Sequence, residues 1–130
     1  MWQVIYHSRQ NGRKPAQEWI EAQDNSIRPS IDVRIEQLRM EGPLLIENRM
    51  LVPIREKRGG KIVPGFYELK HLGKKWRIAT YHDLKKNIFV LISGWRKSRQ
   101  SQERDVQRAL GLLREYLSIE GEYDACNTDW

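Results

Sequence analysis

The pattern of apolar and polar positions changes period twice along the chain. Trp2-Gln3-Val4-Ile5-Tyr6-His7 alternates as a strand does. Asn11-Gly12 marks a turn, and Pro15 suits a first helical turn, where its missing N–H is not needed. Ala16, Trp19 and Ile20 then share one helical face at i, i+3 and i+4. Asn25-Ser26 stops that helix and offers a cap for the next. There Ile27, Ile31, Ile35 and Leu38 recur at helical spacing until Gly42-Pro43 ends it. These segments predict an antiparallel helical hairpin.

From 43 to 64 no period holds. Pro43, Pro53 and Pro64 punctuate a charged, glycine-bearing stretch that reads as a loop longer than a routine connection. After Gly65 the period becomes that of strands. Residues 66–72, 75–83 and 87–95 form three β-rich runs separated by Gly73-Lys74 and Lys85-Lys86-Asn87, a meander of hairpins. The last run is almost continuously apolar, as a strand covered on both faces is. Val106, Ala109, Leu110, Leu113 and Leu117 form the stripe of a closing helix. The expected fold is α+β: a small antiparallel sheet built from an N-terminal strand, a helical hairpin, a three-stranded meander and a C-terminal helix. The helices are expected on one side of the sheet, with basic groups on its other face or rim. Residues 1–120 read as a single domain and 121–130 as an acidic tail.

Composition narrows the class. The 130 residues are 39% hydrophobic, enough for one core. Mean hydropathy is -0.73. The longest apolar run, Ile88 to Ile92, has strand length, far from the roughly 20 residues of a membrane span. No basic segment leads into an apolar stretch at the start, so no signal peptide is expected. Cys126 is the single cysteine, which leaves no internal disulfide and no thiolate pair for a metal. The expectation is a cytoplasmic protein without membrane contact.

Charge is unevenly spread. The net +6 resolves into net 0 over residues 1–52, +10 over 53–100 and −4 over 101–130. Phe66, Tyr67, Trp76, Tyr81, Phe89 and Trp95 interleave with the basic segment. Cations neutralise phosphates and aromatic faces stack on unpaired bases, which points to nucleic acid. The plain alternative is a solvated basic face over an ordinary aromatic core.

Several chemistries drop out. His7, His71 and His82 have no ligand spacing, although His71 and His82 are placed to meet across a hairpin; no metal or cofactor is expected. No glycine loop has the phosphate-cradling form, and neither Ser93 nor Cys126 sits in a nucleophile motif. Cation chemistry on RNA remains. RNA carries its own nucleophile, the 2′-hydroxyl, so a protein need only orient it, stabilise the phosphorane and assist proton transfer. Arginine suits the charge, and lysine suits the proton where neighbouring cations lower its pKa. Lys70, Arg77, Arg96 and Lys97 lie on or just after three successive strands that a meander brings together. Each alone reads as a solvated cation; their joint placement carries the functional reading. Lys74, Lys75 and Arg99 extend the basic surface. Tyr81 and Trp95 are candidate stacking platforms, with a place in the core as the alternative for Trp95.

Residues 65–110 resemble the phage-derived, HigB-like branch of the RelE/ParE toxin superfamily. The resemblance rests on Tyr67-Glu68-Leu69-Lys70, Trp76-Arg77-Ile78, Phe89-Val90-Leu91-Ile92 and Gly94-Trp95-Arg96-Lys97, followed by Gln100, Val106 and Ala109. It implies a RelE-like fold and the toxin of a type II toxin–antitoxin pair. Such a toxin is a ribosome-dependent endonuclease that cuts mRNA in the ribosomal A site by 2′-hydroxyl attack. It also implies a cognate antitoxin, expected to be of the helix-turn-helix DNA-binding type. Arg77 matches the second-strand arginine that contacts the scissile phosphate. Lys70 stands where this branch has arginine and the archetype lysine, and Arg96 follows the glycine-aromatic turn, where the archetype has a phosphate-stabilising arginine. Glu68 replaces a basic residue of the archetype, and Ser98 the second lysine of the usual pair. Two alternatives share the fold: a gyrase-inhibiting ParE-like toxin, and a non-catalytic RNA- or ribosome-binding module.

Overall fold

The computed structural model describes residues 1–56, 60–98 and 102–119. Arg99, Cys126 and the acidic tail lie outside the described residues. In chain order the elements are β1 (Gln3–Tyr6), α1 (Pro15–Glu21), α2 (Arg28–Glu41), α3 (Leu44–Glu47), β2 (Leu51–Arg55), β3 (Ile62–Leu69), β4 (Trp76–Asp83), β5 (Ile88–Arg96) and α4 (Glu103–Ile119). The α+β class, the helical hairpin, the meander and the closing helix are those the sequence predicts. No described helix is long and apolar enough to cross a membrane.

The stretch from 43 to 64 departs from its reading as a loop. It holds α3, β2 and the start of β3, with Leu51, Ile54 and Val63 buried. Proline and charge hide the strand from its pattern. Pro53 is tolerated because β2 is an edge strand, where a missing ladder donor does little harm. The β2–β3 register also shifts between Pro53 and Arg55, which blunts that edge.

The strands form one sheet in the order β1-β5-β4-β3-β2. The sheet is mixed rather than wholly antiparallel: β1 runs parallel to β5, pairing Gln3 with Ile88 through Tyr6 with Leu91. Helices cover both faces, not one. Phe89 and Leu91 pack with Trp76, Ile78 and Leu69 beneath α1 and α2. Ile88, Val90 and Ile92 pack with Phe66 and Ala79 beneath α4. Every residue of β5 from Ile88 to Trp95 is buried, and such a strand needs two covers.

A bulge interrupts the β4–β5 ladder. Ala79 pairs with Ser93 but Thr80 pairs with Leu91, so Ile92 is the extra residue. Beyond it the alternation of β5 is inverted. Trp95 joins Ile92 on the α4 face, and Gly94 turns toward α1, where a Cβ would collide with the Trp19 indole.

Polar ties hold the layers. The fully buried Trp76 donates its Nε1–H to Ser30 Oγ on α2 at 2.8 Å. The Tyr116 hydroxyl of α4 donates to Asp83 Oδ2 at 2.8 Å, and Asp83 Oδ1 accepts the Lys86 backbone N–H in the β4–β5 turn at 3.2 Å. Losing Ser30 Oγ leaves the indole N–H buried without an acceptor. Ser30→Ala should therefore cost about 1–3 kcal/mol. Urea unfolding should show a lower midpoint at unchanged slope.

Candidate functional site

On the α4 side of the sheet, α4 covers one end and leaves the other to a group of charged residues. The register places them. Glu68 stands opposite Ala79, and Leu69 opposite Ile78, so Lys70 comes beside Arg77. Arg77 pairs with Trp95, and the Lys97 N–H donates to the Lys75 carbonyl at 2.6 Å, continuing the ladder past β5. Alternation puts Glu68, Lys70, Arg77, Lys75, Trp95 and Lys97 on one face, within three adjacent strands and the residues just beyond them.

Arg77 is only 8% exposed, and its guanidinium is fixed. Its Nη1 donates to the carbonyls of Trp76 at 2.7 Å and Lys74 at 3.1 Å. Both hydrogens on Nη1 are used there, which leaves those on Nε and Nη2 for a ligand. A guanidinium held by its own turn needs little reordering when an anion arrives.

Glu68 is half-buried among these cations. Burial pushes its carboxyl above the ordinary glutamate range, and the fields of Arg77, Lys97 and Lys70 only partly offset this. The acid is therefore poised closer to neutrality than a surface glutamate. The sequence assigned Glu68 no role. Its signal was an acidic residue between Tyr67 and Lys70, inside the segment where cations outnumber carboxylates 13 to 3.

The other predicted site residues scatter. Arg96 pairs with Trp76, so it emerges on the α1–α2 face, away from Arg77, and its charge acts on Asp24. The physical reason is the bulge at Ile92, which inverts the alternation just before Arg96. Gly94-Trp95-Arg96 is strand, not a turn. Trp95 is 4% exposed, lies in the α4 core and donates its Nε1–H to Gln102 Oε1 at 2.8 Å, which leaves no face for a base. Tyr81 packs against Tyr116, with ring centroids 6.0 Å apart, at the covered end of the sheet. Lys74 and Lys75 are exposed at the β3–β4 turn, at the rim of the group. Arg99 lies outside the described residues. His71 and His82 do not meet: His71 Nδ1 lies 3.1 Å from the Leu72 carbonyl in the β3–β4 turn, whereas His82 is buried and stacked on Phe89. Among the described residues, no three His, Cys, Asp or Glu side chains converge as metal ligands would.

No family model and no curated protein matches the chain. A solved structure does: the crystal structure of the isolated E. coli RelE toxin is similar at a TM-score of 0.51 and 13% identity, over 85% of this chain and 99% of that one. The chain has a RelE-like fold.

The raised Glu68 pKa fixes the sign of a stability effect. A carboxyl whose pKa is higher folded than unfolded holds more protons in the folded state, so stability falls as pH rises between the two values. Above that window the ionised form is a standing penalty; below it the penalty is absent. Glu68→Gln should therefore raise the urea midpoint at neutral pH. The gain should shrink toward zero as pH falls below the ordinary glutamate range, and a gain that did not change with pH would contradict the assignment.

Proposed function

We propose that the chain is the toxin of a type II toxin–antitoxin pair, of the HigB-like branch, acting as a ribosome-dependent mRNA endonuclease in the cytoplasm. The observation that carries this reading is the gathering of Arg77, Lys70 and Lys97 around Glu68, on the face that α4 leaves open in a RelE-like fold. Its macromolecular partners are then mRNA in the ribosomal A site and a cognate antitoxin of the helix-turn-helix type.

The mechanism uses neither metal nor cofactor. The 2′-oxygen attacks the adjacent phosphorus, the bond from phosphorus to the 5′-oxygen breaks, and the products are a 2′,3′-cyclic phosphate and a 5′-hydroxyl. Arg77 and Lys97 hold the phosphate and the charge that develops on it. Glu68 is the carboxylate placed among these cations to accept the 2′-hydroxyl proton, and burial raises its proton affinity above that of a surface glutamate. Lys70 or Lys97 supplies a proton to the departing 5′-oxygen. Arg96, on the other face, has no part in this scheme, and the exposed Lys74 and Lys75 guide the RNA backbone.

Primer extension on a defined mRNA with translating ribosomes tests the reading. Wild-type protein should cut, and Arg77→Ala should lose about 100-fold or more of the rate, the scale of removing a transition-state donor. Arg96→Ala should cut at the wild-type rate. Cuts on naked RNA would keep the nuclease and discard the ribosome. No cuts under either condition would leave passive RNA binding or gyrase inhibition, which a DNA supercoiling assay separates.

A further inference from the structure

Beyond the end of β1, β5 runs on without its parallel neighbour, and a cavity of about 290 Å³ opens at that edge. Ser93 and Gly94 of β5 line it, with Pro15 and Trp19 of α1 as an apolar wall. Arg9 and Arg13 enter from the β1–α1 connection and Arg108 from α4. The lining also holds one carboxylate, Glu18, which is bound to Arg13 through Nη2 at 2.6 Å. Arg9 pairs with Glu115 at 3.2 Å. These carboxylates fix two of the guanidiniums in place.

Two groups remain unspent. Arg108 has no hydrogen bond or ion pair among the described residues, although its field, after the Arg13 hydrogen bond, contributes to holding the Glu18 carboxyl below its usual range. Ser93 is 3% exposed and its Oγ finds no hydrogen-bond partner. A buried hydroxyl without a partner is a standing cost that a bound acceptor would remove.

The lining chemistry selects the ligand. Three arginines against two carboxylates, Glu18 and Glu115, leave the cavity net cationic, and the guanidinium fork matches phosphate oxygens. A bare phosphate would leave much of the space empty, whereas a planar base can rest on the indole wall. We propose that this cavity is a nucleotide-sized phosphate site, in which Arg108 holds the phosphate, Ser93 Oγ donates to it and the base lies against Trp19.

The site is distinct from the Arg77 group. Glu68, Ala79 and Ser93 form one row across β3, β4 and β5, so the two sites lie about 10 Å apart across the sheet. The phosphate has two possible sources: a free mononucleotide, or a nucleotide flanking the cut in an RNA strand seated on Arg77. The second rests on the nuclease reading; the first does not.

Calorimetric titration of the full chain with uridine and adenosine monophosphates, inorganic phosphate and a 2′-O-methyl tetranucleotide distinguishes them. Mononucleotide binding that Arg108→Ala and Ser93→Ala each weaken about tenfold establishes a free-nucleotide site. Binding of the tetranucleotide alone, weakened by both Arg108→Ala and Arg77→Ala, establishes a flanking subsite. Arg108 is exposed, so its variant folds even if Ser93→Ala does not. The proposal is overturned if neither ligand binds, if Arg108→Ala binds as wild type, or if inorganic phosphate binds as tightly as the nucleotides. The outcomes for the mononucleotides do not depend on whether the protein cuts mRNA.

Discussion

The single extra residue in β5 sets where the chemistry can be. Strict alternation from Val90 would carry Ile92, Gly94 and Arg96 to the α4 face. Ile92 instead takes the bulge, and Trp95 and Lys97 reach that face. Gly94 is then turned against Trp19, where a side chain has no room. The same irregularity thus puts a lysine beside Arg77, sends Arg96 to the opposite side and lets α1 close on the strand. Bulges re-aim side chains next to functional sites, and this one acts on both flanks of β5.

Charge then works against burial in a small space. Each cation around Glu68 favours its ionised form, yet the protein surrounding Glu68 disfavours it more strongly. Arg77 resolves its own burial differently, by spending Nη1 on two carbonyls of its own turn. The result is a rigid cation next to a carboxyl whose ionisation burial opposes. A solvated basic face over an ordinary core would have neither feature, because exposed lysines and arginines are free to turn away from one another.

Much of the fold was legible because its signals are local. The β5 run of Ile88 to Ile92 announced a strand covered on both faces, the stripe from Val106 to Leu117 announced α4, and Pro15 and Gly42-Pro43 bounded the helical hairpin. The α+β class and the order of these elements follow from such signals. Non-local facts escaped. No pattern in Gln3–Tyr6 says that it pairs parallel to β5, and Pro53 makes β2 look like loop when an edge position excuses it. Within the candidate site, Lys70, Arg77 and Lys97 were legible from their places on a meander. Arg96 was expected beside them and lies on the opposite face, because a bulge leaves no mark in the residue types. Trp95 was ambiguous until the Gln102 hydrogen bond fixed it in the core. Glu68 went unassigned because its value depends on burial, which periodicity at the end of a half-covered strand does not report.

The sheet divides its labour along the strands. At one end α4 lies over Val63, Phe66, Tyr81 and Val90, and the face is apolar and closed. At the other end the strands continue past the cover, and their side chains change to Glu68, Lys70, Arg77 and Lys97. The two ends share the same backbone ladder, so the closed end fixes the spacing of the open one without touching it. That is why Arg77 can be rigid while lying near the rim of the sheet. A charged group needs solvent or a ligand on one side, and a precise spacing needs a packed core on the other. A strand longer than the helix above it supplies both.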